Sequence, residues 1–110
     1  MRRYLPAVFF VAAAVAGGVR AADAPEFALA IKNHRFDPTR LKVPAGARIK
    51  LVVHNQDSTP EEFESHSLNR EKVIPGGARA TIFIGPLSAG RYEFFGDFNQ
   101  QSAQGVLIAE

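Results

Sequence analysis

Turn-forming proline and glycine residues recur at short intervals after residue 22, and this spacing restricts the fold more than any other feature. Proline fixes its own φ angle, and glycine adopts turn conformations that other residues avoid. The segments between the turns are short, and none has sustained helical periodicity. The turns lie at Phe36-Asp37-Pro38, Pro44-Ala45-Gly46, Pro75-Gly76-Gly77, Gly85-Pro86 and Ser88-Ala89-Gly90.

The segments between these turns have the composition and alternation of β-strands. In residues 48–55, Ile49, Leu51 and Val53 fall on one face of an extended chain, as in a half-buried strand. Counted along the chain, the pattern predicts about seven strands and a single all-β domain, an antiparallel Greek-key β-sandwich. The other segments are 27–32, 41–43, 61–68, 73–74, 78–84, 91–95 and 105–109.

The amino terminus has the pattern of a secretory signal. Arg2 and Arg3 precede an apolar run, Leu5 to Val15, and Val19-Arg20-Ala21 resembles a peptidase cleavage site. The run is shorter than the roughly 20 residues of a membrane-spanning helix. We therefore predict a signal peptide at 1–21, a folded domain at 22–110 and a periplasmic location.

Removal of that signal changes the charge and the chemistry of the remaining chain. Arg2, Arg3 and Arg20 are three of the 13 basic residues, so ten would face 11 acidic ones. Such a domain lacks the basic excess that nucleic-acid binding needs, and we predict no nucleic-acid partner. The chain has no cysteine, and its one methionine is Met1. Disulfides, thiolate metal ligands and a cysteine nucleophile are excluded.

Three carboxylates and one imidazole lie within six residues, at 61–66. On a strand, Glu62, Glu64 and His66 would share one face at spacings of about 6.6 to 7 Å. Oxygen and nitrogen ligands suit Fe²⁺, Fe³⁺, Mn²⁺ or Cu²⁺. Since alternate strand residues are far apart for chelation, Asp97 and Asn99 from a later loop are expected to complete the site.

The same residues allow an interpretation without a metal. The acids could form a solvated strand edge paired with Arg70, Lys72 or Arg91, because edge charges commonly oppose strand aggregation. His34 and Asp37, after the first strand, are a third candidate contribution to a metal site. The aromatic residues Phe94, Phe95 and Phe98 fit either core packing or a rim that docks a partner.

Three segments in order resemble the cupredoxins: Val43–Gly46 before a strand that runs into Asn55, then Pro75-Gly76, then Ala89–Phe94. Residues 62–64 and 94–98 are similar to the cupredoxin-like domains of periplasmic iron-uptake systems, including the EfeO type. The resemblance implies a cupredoxin-like sandwich that handles an iron or copper ion. It also implies a membrane iron permease system, or another periplasmic iron-binding protein, as partner.

The sequence departs from the family at the copper ligands. By this resemblance, the family's cysteine falls at Gly96, its next histidine at Asn99, its methionine near Ala103 and its upstream histidine near Glu62. A type 1 blue-copper site requires a thiolate, so we predict none here.

Two functions remain open: binding of iron or copper through carboxylate and imidazole ligands in iron acquisition, or a metal-free interaction module with a decayed copper site. Carboxylates favour Fe³⁺, which allows an accessory role in Fe²⁺ oxidation, but the sequence names no electron acceptor. No Ser-His-Asp order, phosphate loop or HExxH motif is present.

Overall fold

The computed structural model describes residues 23–110, so the expected signal peptide at 1–21 lies outside the described residues. Nine β-strands and a 3-10 helix (Asp97–Asn99) make up the regular structure in that range. The strands are β1 (Glu26–Lys32), β2 (Arg35–Asp37), β3 (Arg40–Val43), β4 (Ile49–Asn55), β5 (Glu61–Ser65), β6 (Arg70–Ile74), β7 (Arg79–Ile84), β8 (Gly90–Gly96) and β9 (Gln104–Ala109). No helix within 23–110 has the length and hydropathy needed to cross a membrane.

The strands form two sheets, with the orders β2-β1-β4-β7 and β3-β9-β8-β5-β6. The all-β sandwich that the turn spacing predicts is confirmed, with nine strands instead of about seven. The sheets are mixed, because β1 pairs with β4 in parallel and β3 pairs with β9 in parallel. These parallel pairs arise because the chain passes from the first sheet to the second at β3 and returns at β4.

The turn that the sequence predicts at 36–38 is correct only at its end: Phe36 and Asp37 lie in β2, and the chain bends at Pro38 and Thr39. Phe36 is buried in β2, where it pairs with Ile31 of β1. A separate turn lies before β2, at Asn33–His34, where both residues have positive φ angles. The Asp57 carboxylate accepts hydrogen bonds from both of their backbone N–H groups, at 2.8 and 3.0 Å, and holds this turn closed.

The core lies between the sheets and contains a cluster of three aromatic rings. Phe63 of β5 stacks on Phe94 of β8 with ring centroids 5.3 Å apart, and Phe36 meets Phe94 edge-on at 4.9 Å. Such ring pairs stabilise the core beyond the contribution of the apolar area that each ring buries. These rings fix the inward faces of β5, which carries Glu61, Glu62 and Glu64, and of β8, which leads into Asp97.

Candidate metal centre

The alternation of β5 divides its acidic residues between two faces. Phe63 is fully buried in the core, so Glu61 and Ser65 share the inward face, and both are buried. Glu62 and Glu64 therefore point to the outer face of the five-stranded sheet. The resemblance placed the family's upstream ligand near Glu62, whereas the inward acidic residue is Glu61.

On the outer face, three carboxylates converge. Oxygen atoms of Glu62, Glu64 and Asp97 all lie within 4.8 Å of one another. Glu62 and Glu64 come from β5, and Asp97 begins the 3-10 helix that follows β8. The long glutamate side chains close the spacing that separates alternate residues of a strand. The structure thus brings together three of the five predicted site residues, and we name this group the outer carboxylate cluster.

Glu71 joins this cluster from β6 and was not predicted. A hydrogen bond with Glu71 is the largest cause that raises the pKa of Glu62 to about 7, followed by burial and by the charges of Glu71, Asp97 and Glu64. Glu71 is the cross-strand partner of Glu64. Recognition of the 65–70 hairpin would have revealed it, since that turn fixes the register of β5 and β6.

The ion pairs expected in the metal-free interpretation do not form in the described part of the chain. Within residues 23–110, the ion pairs closer than 4.0 Å are His34–Asp57, Lys42–Glu110 and Lys50–Glu26. The Arg70 guanidinium donates instead to three main-chain carbonyl groups. No lysine or arginine nitrogen in this range therefore lies within 4.0 Å of the outer carboxylate cluster.

The other candidate residues are not among the three converging carboxylates, although His66 lines one pocket with Glu64 and Glu71. The exposed His66 ring follows β5 and lies 5.4 Å from the Phe95 ring, at a groove of about 550 Å³. The Asn99 side chain turns inward and donates to Glu61. His34 lies 3.6 Å from Asp57, and Asp37 is exposed on β2.

Glu61 forms a second, buried acidic site beneath the outer carboxylate cluster. Its side chain, in a residue only 1% exposed, accepts hydrogen bonds from the backbone N–H groups of Glu62 (3.0 Å) and Phe98 (2.9 Å) and from Asn99 Nδ2 (2.7 Å). A Cβ atom added at Gly96 would lie 2.6 Å from Glu61 Cδ and 2.7 Å from Ala103 Cβ. Glu61 is therefore fully partnered and tightly enclosed.

Comparison with known proteins agrees with this architecture. The family model of the cupredoxin-like domain matches residues 4–109. An uncharacterised protein of Rickettsia prowazekii (strain Madrid E) is 47% identical over 83 residues, which cover 76% of this chain and 66% of that protein. The match thus spans slightly less than two thirds of that relative's length.

Several copper proteins have the same fold. Auracyanin A, a "blue" copper protein from Chloroflexus aurantiacus, gives a TM-score of 0.67 at 14% identity, over 77% of this chain and 98% of that chain. The metal-binding domain of the Cu(I)-exporting P-type ATPase CopA of Streptococcus pneumoniae D39 gives a TM-score of 0.65 at 16% identity, over 77% of this chain and 84% of that chain. Identities this low establish the fold alone.

The residues of this chain do not fit a blue-copper ion. The positions that the resemblance assigns to its cysteine, histidine and methionine hold Gly96, Asn99 and Ala103, which offer no thiolate, imidazole or thioether. Asn99 donates to the Glu61 carboxylate, and Gly96 leaves no room for a side chain beside it.

Proposed function

The chain belongs to the cupredoxin-like domain family, and on that premise we propose that it binds a hard or borderline metal ion through carboxylates. The outer carboxylate cluster is the site: Glu62, Glu64 and Asp97 hold the ion, with Glu71 beside them. Iron is the proposed cargo, with Cu²⁺ as the second candidate. Oxygen-rich sites suit such ions, whereas soft Cu(I) prefers sulfur ligands.

One observation carries this proposal: three carboxylates from two segments of the chain lie within 4.8 Å of one another without a basic partner within 4.0 Å in residues 23–110. The pKa of Glu62 rises to about 7, chiefly through a hydrogen bond with Glu71, and then through burial and repulsion by the charges of Glu71, Asp97 and Glu64. A bound cation would offset the repulsion and favour the ionised form of each carboxylate.

The proposed setting is iron acquisition in the periplasm. The secretory pattern at 1–21 and the resemblance to iron-uptake domains support it. In this role the protein delivers the ion to a membrane iron permease system or to another periplasmic iron-binding protein. Because carboxylates favour Fe³⁺, the site could also assist oxidation of Fe²⁺ by an external acceptor.

Calorimetric titration of the purified protein with Fe²⁺ under anaerobic conditions, and with Mn²⁺ and Cu²⁺, tests the proposal. We expect micromolar or tighter binding that Glu62→Gln, Glu64→Gln and Asp97→Asn each weaken at least tenfold. Glu93→Gln is the matched control, because it removes the same charge from an exposed position on β8 outside the cluster. Absence of binding, or equal weakening by Glu93→Gln, would refute the site.

A metal-free interaction module is the second candidate, and the surface around the cluster favours it. Val73 and Phe98 are 51% and 49% exposed. Val73 is the cross-strand partner of Glu62, and Phe98 follows Asp97 in the chain. Exposed apolar side chains beside a charged group can dock a protein partner. A melting temperature that no ion changes, together with no measurable ion binding, would favour this function.

A further inference from the structure

We propose that Glu61 is a positioning residue that ties β5 to the Gly96–Ala103 loop. Through this tie it fixes Asp97 within reach of Glu62 and Glu64. The second statement rests on the proposed function, whereas the first does not.

Local hydrogen bonds close the loop on itself, from Gly96 N–H to Ala103 O (2.9 Å) and from Ala103 N–H to Asn99 O (2.8 Å), but they do not attach its helix to β5. The 3-10 helix at Asp97–Asn99 is one turn long, and Gly96, its N-cap, offers no side-chain hydrogen bond. The missing acceptor comes from Glu61, which is 37 residues from Phe98 in sequence. Short 3-10 segments have weak internal hydrogen bonds, so an external partner matters more here than in a long helix.

A single oxygen atom connects the two sides of the outer carboxylate cluster. Glu61 Oε1 accepts hydrogen bonds from the N–H of Glu62 and from the N–H of Phe98, the residue after Asp97. The backbone at Glu62 and the backbone next to Asp97 are therefore held to the same acceptor. The second oxygen, Oε2, accepts from Asn99 and fixes the end of the helix.

Close packing prevents this tie from relaxing. Glu61 is buried against Gly96 and Ala103, and even one added carbon at Gly96 would overlap its carboxyl group. Buried polar groups are costly to leave unpaired, so the loop and Glu61 stabilise each other's position. The cluster on the outer face thus depends on a carboxylate that does not itself reach the ion.

Reversing the polarity of one hydrogen bond tests the role. In Glu61→Gln an amide donor replaces one of the two carboxylate oxygens. It faces either the amide of Asn99 or the two backbone N–H groups, so the hydrogen bond from the Phe98 N–H is weakened or lost. In Glu61→Gln/Asn99→Asp the new amide donates to a carboxylate, which restores the bond in the opposite direction. Asn99→Ala, which removes one bond from a half-buried position, is the milder variant if the others fold poorly.

Two readouts separate positioning from general stability. Hydrogen exchange at the Phe98 amide reports the tie directly, and Mn²⁺ affinity reports the cluster. We expect Glu61→Gln to lose Phe98 protection and about tenfold in affinity, a typical coupling between contacting groups, and the double variant to regain both. Ser65→Ala is the control, because this inward residue of β5 bonds only to groups away from the cluster, including Glu93 O at 2.6 Å. It should lower the melting temperature and leave both readouts unchanged.

The results distinguish the two proposals. If the wild-type protein binds no ion, the proposed function fails, and loss and recovery of Phe98 protection still support the tie. If Glu61→Gln unfolds more easily but keeps Phe98 protection and ion affinity, the positioning role is overturned. Equal effects of Ser65→Ala on ion affinity would also overturn it.

Discussion

The proton on Glu62 should link pH to both folding and ion binding. Hydrogen bonding to Glu71, with burial and neighbouring charges, raises the pKa of Glu62 from 4.5 to about 7. The folded protein therefore holds this proton more tightly than the unfolded chain does. The resulting stabilisation is fully present below pH 4.5 and is lost as the pH rises to about 7, so the metal-free protein should melt at lower temperature across that range.

The same pKa sets the size of the effect on binding. At pH 6 about nine-tenths of Glu62 side chains are protonated, and at pH 8 about one-tenth are. An ion that needs the carboxylate must displace this proton, so binding should release about 0.9 protons at pH 6 and about 0.1 at pH 8. The apparent affinity should accordingly rise about tenfold from pH 6 to pH 8.

Calorimetry with Mn²⁺ in pairs of buffers that differ in ionisation enthalpy measures the proton release directly. Mn²⁺ avoids the oxidation and hydrolysis that complicate iron at pH 8. Glu62→Gln should bind more weakly and lose both the proton release and the pH dependence, whereas Glu93→Gln should keep them. Proton release close to zero at pH 6 in the wild-type protein would refute the assignment of the Glu62 proton to this site.

Two further substitutions test the parts of the fold that support the site. Asp57→Ala removes the acceptor for both N–H groups of the 33–34 turn, and urea unfolding should show a loss of about 1–2 kcal/mol for these partly exposed bonds. Because the hydrogen bond from His34 is the main cause that lowers the pKa of Asp57 below 3.8, this stabilisation should disappear as the pH falls below that value, and a loss unchanged in acid would contradict the reasoning. Gly96→Ala places a carbon 2.6 Å from Glu61 Cδ and 2.7 Å from Ala103 Cβ, and should cost about 1–3 kcal/mol. Gly90→Ala, whose nearest neighbour lies at 3.8 Å, should unfold like the wild type, and an equal loss there would argue against the steric explanation.

The sequence predicts a strand correctly where its own pattern of apolar residues matches the face that the sheet buries. Ile49, Leu51 and Val53 alternate with less buried residues, and all three are buried as predicted. The strand β2 could not be predicted in this way, since Phe36-Asp37-Pro38 has the composition of a turn. Its pairing with β1 depends on Asp57, more than 20 residues away, which closes the preceding turn.

In the site, too, the features set by neighbouring residues could be predicted, and those set by strand pairing could not. Strand alternation predicts that Glu62 and Glu64 share a face. The position of Glu71 opposite Glu64 depends on the register of the β5–β6 hairpin, which alternation does not give. The inward position of Glu61 was readable from its neighbour Phe63, a large apolar residue two positions away that had to face the core. The family resemblance drew attention to Glu62 instead, because a match of aligned segments carries no information about which face a residue takes.

Glu61 and Glu62, adjacent residues of β5, thus have different roles on opposite faces of the sheet. Glu61 points inward, where its three hydrogen bonds connect β5 with the 3-10 helix at Asp97–Asn99. Glu62 points outward, where its carboxyl group has acidic neighbours and no basic partner within 4.0 Å in the described residues. A shift of one residue in β5 would exchange these environments and remove both features at once. The placement of Phe63 in the core therefore sets the geometry of the proposed metal site.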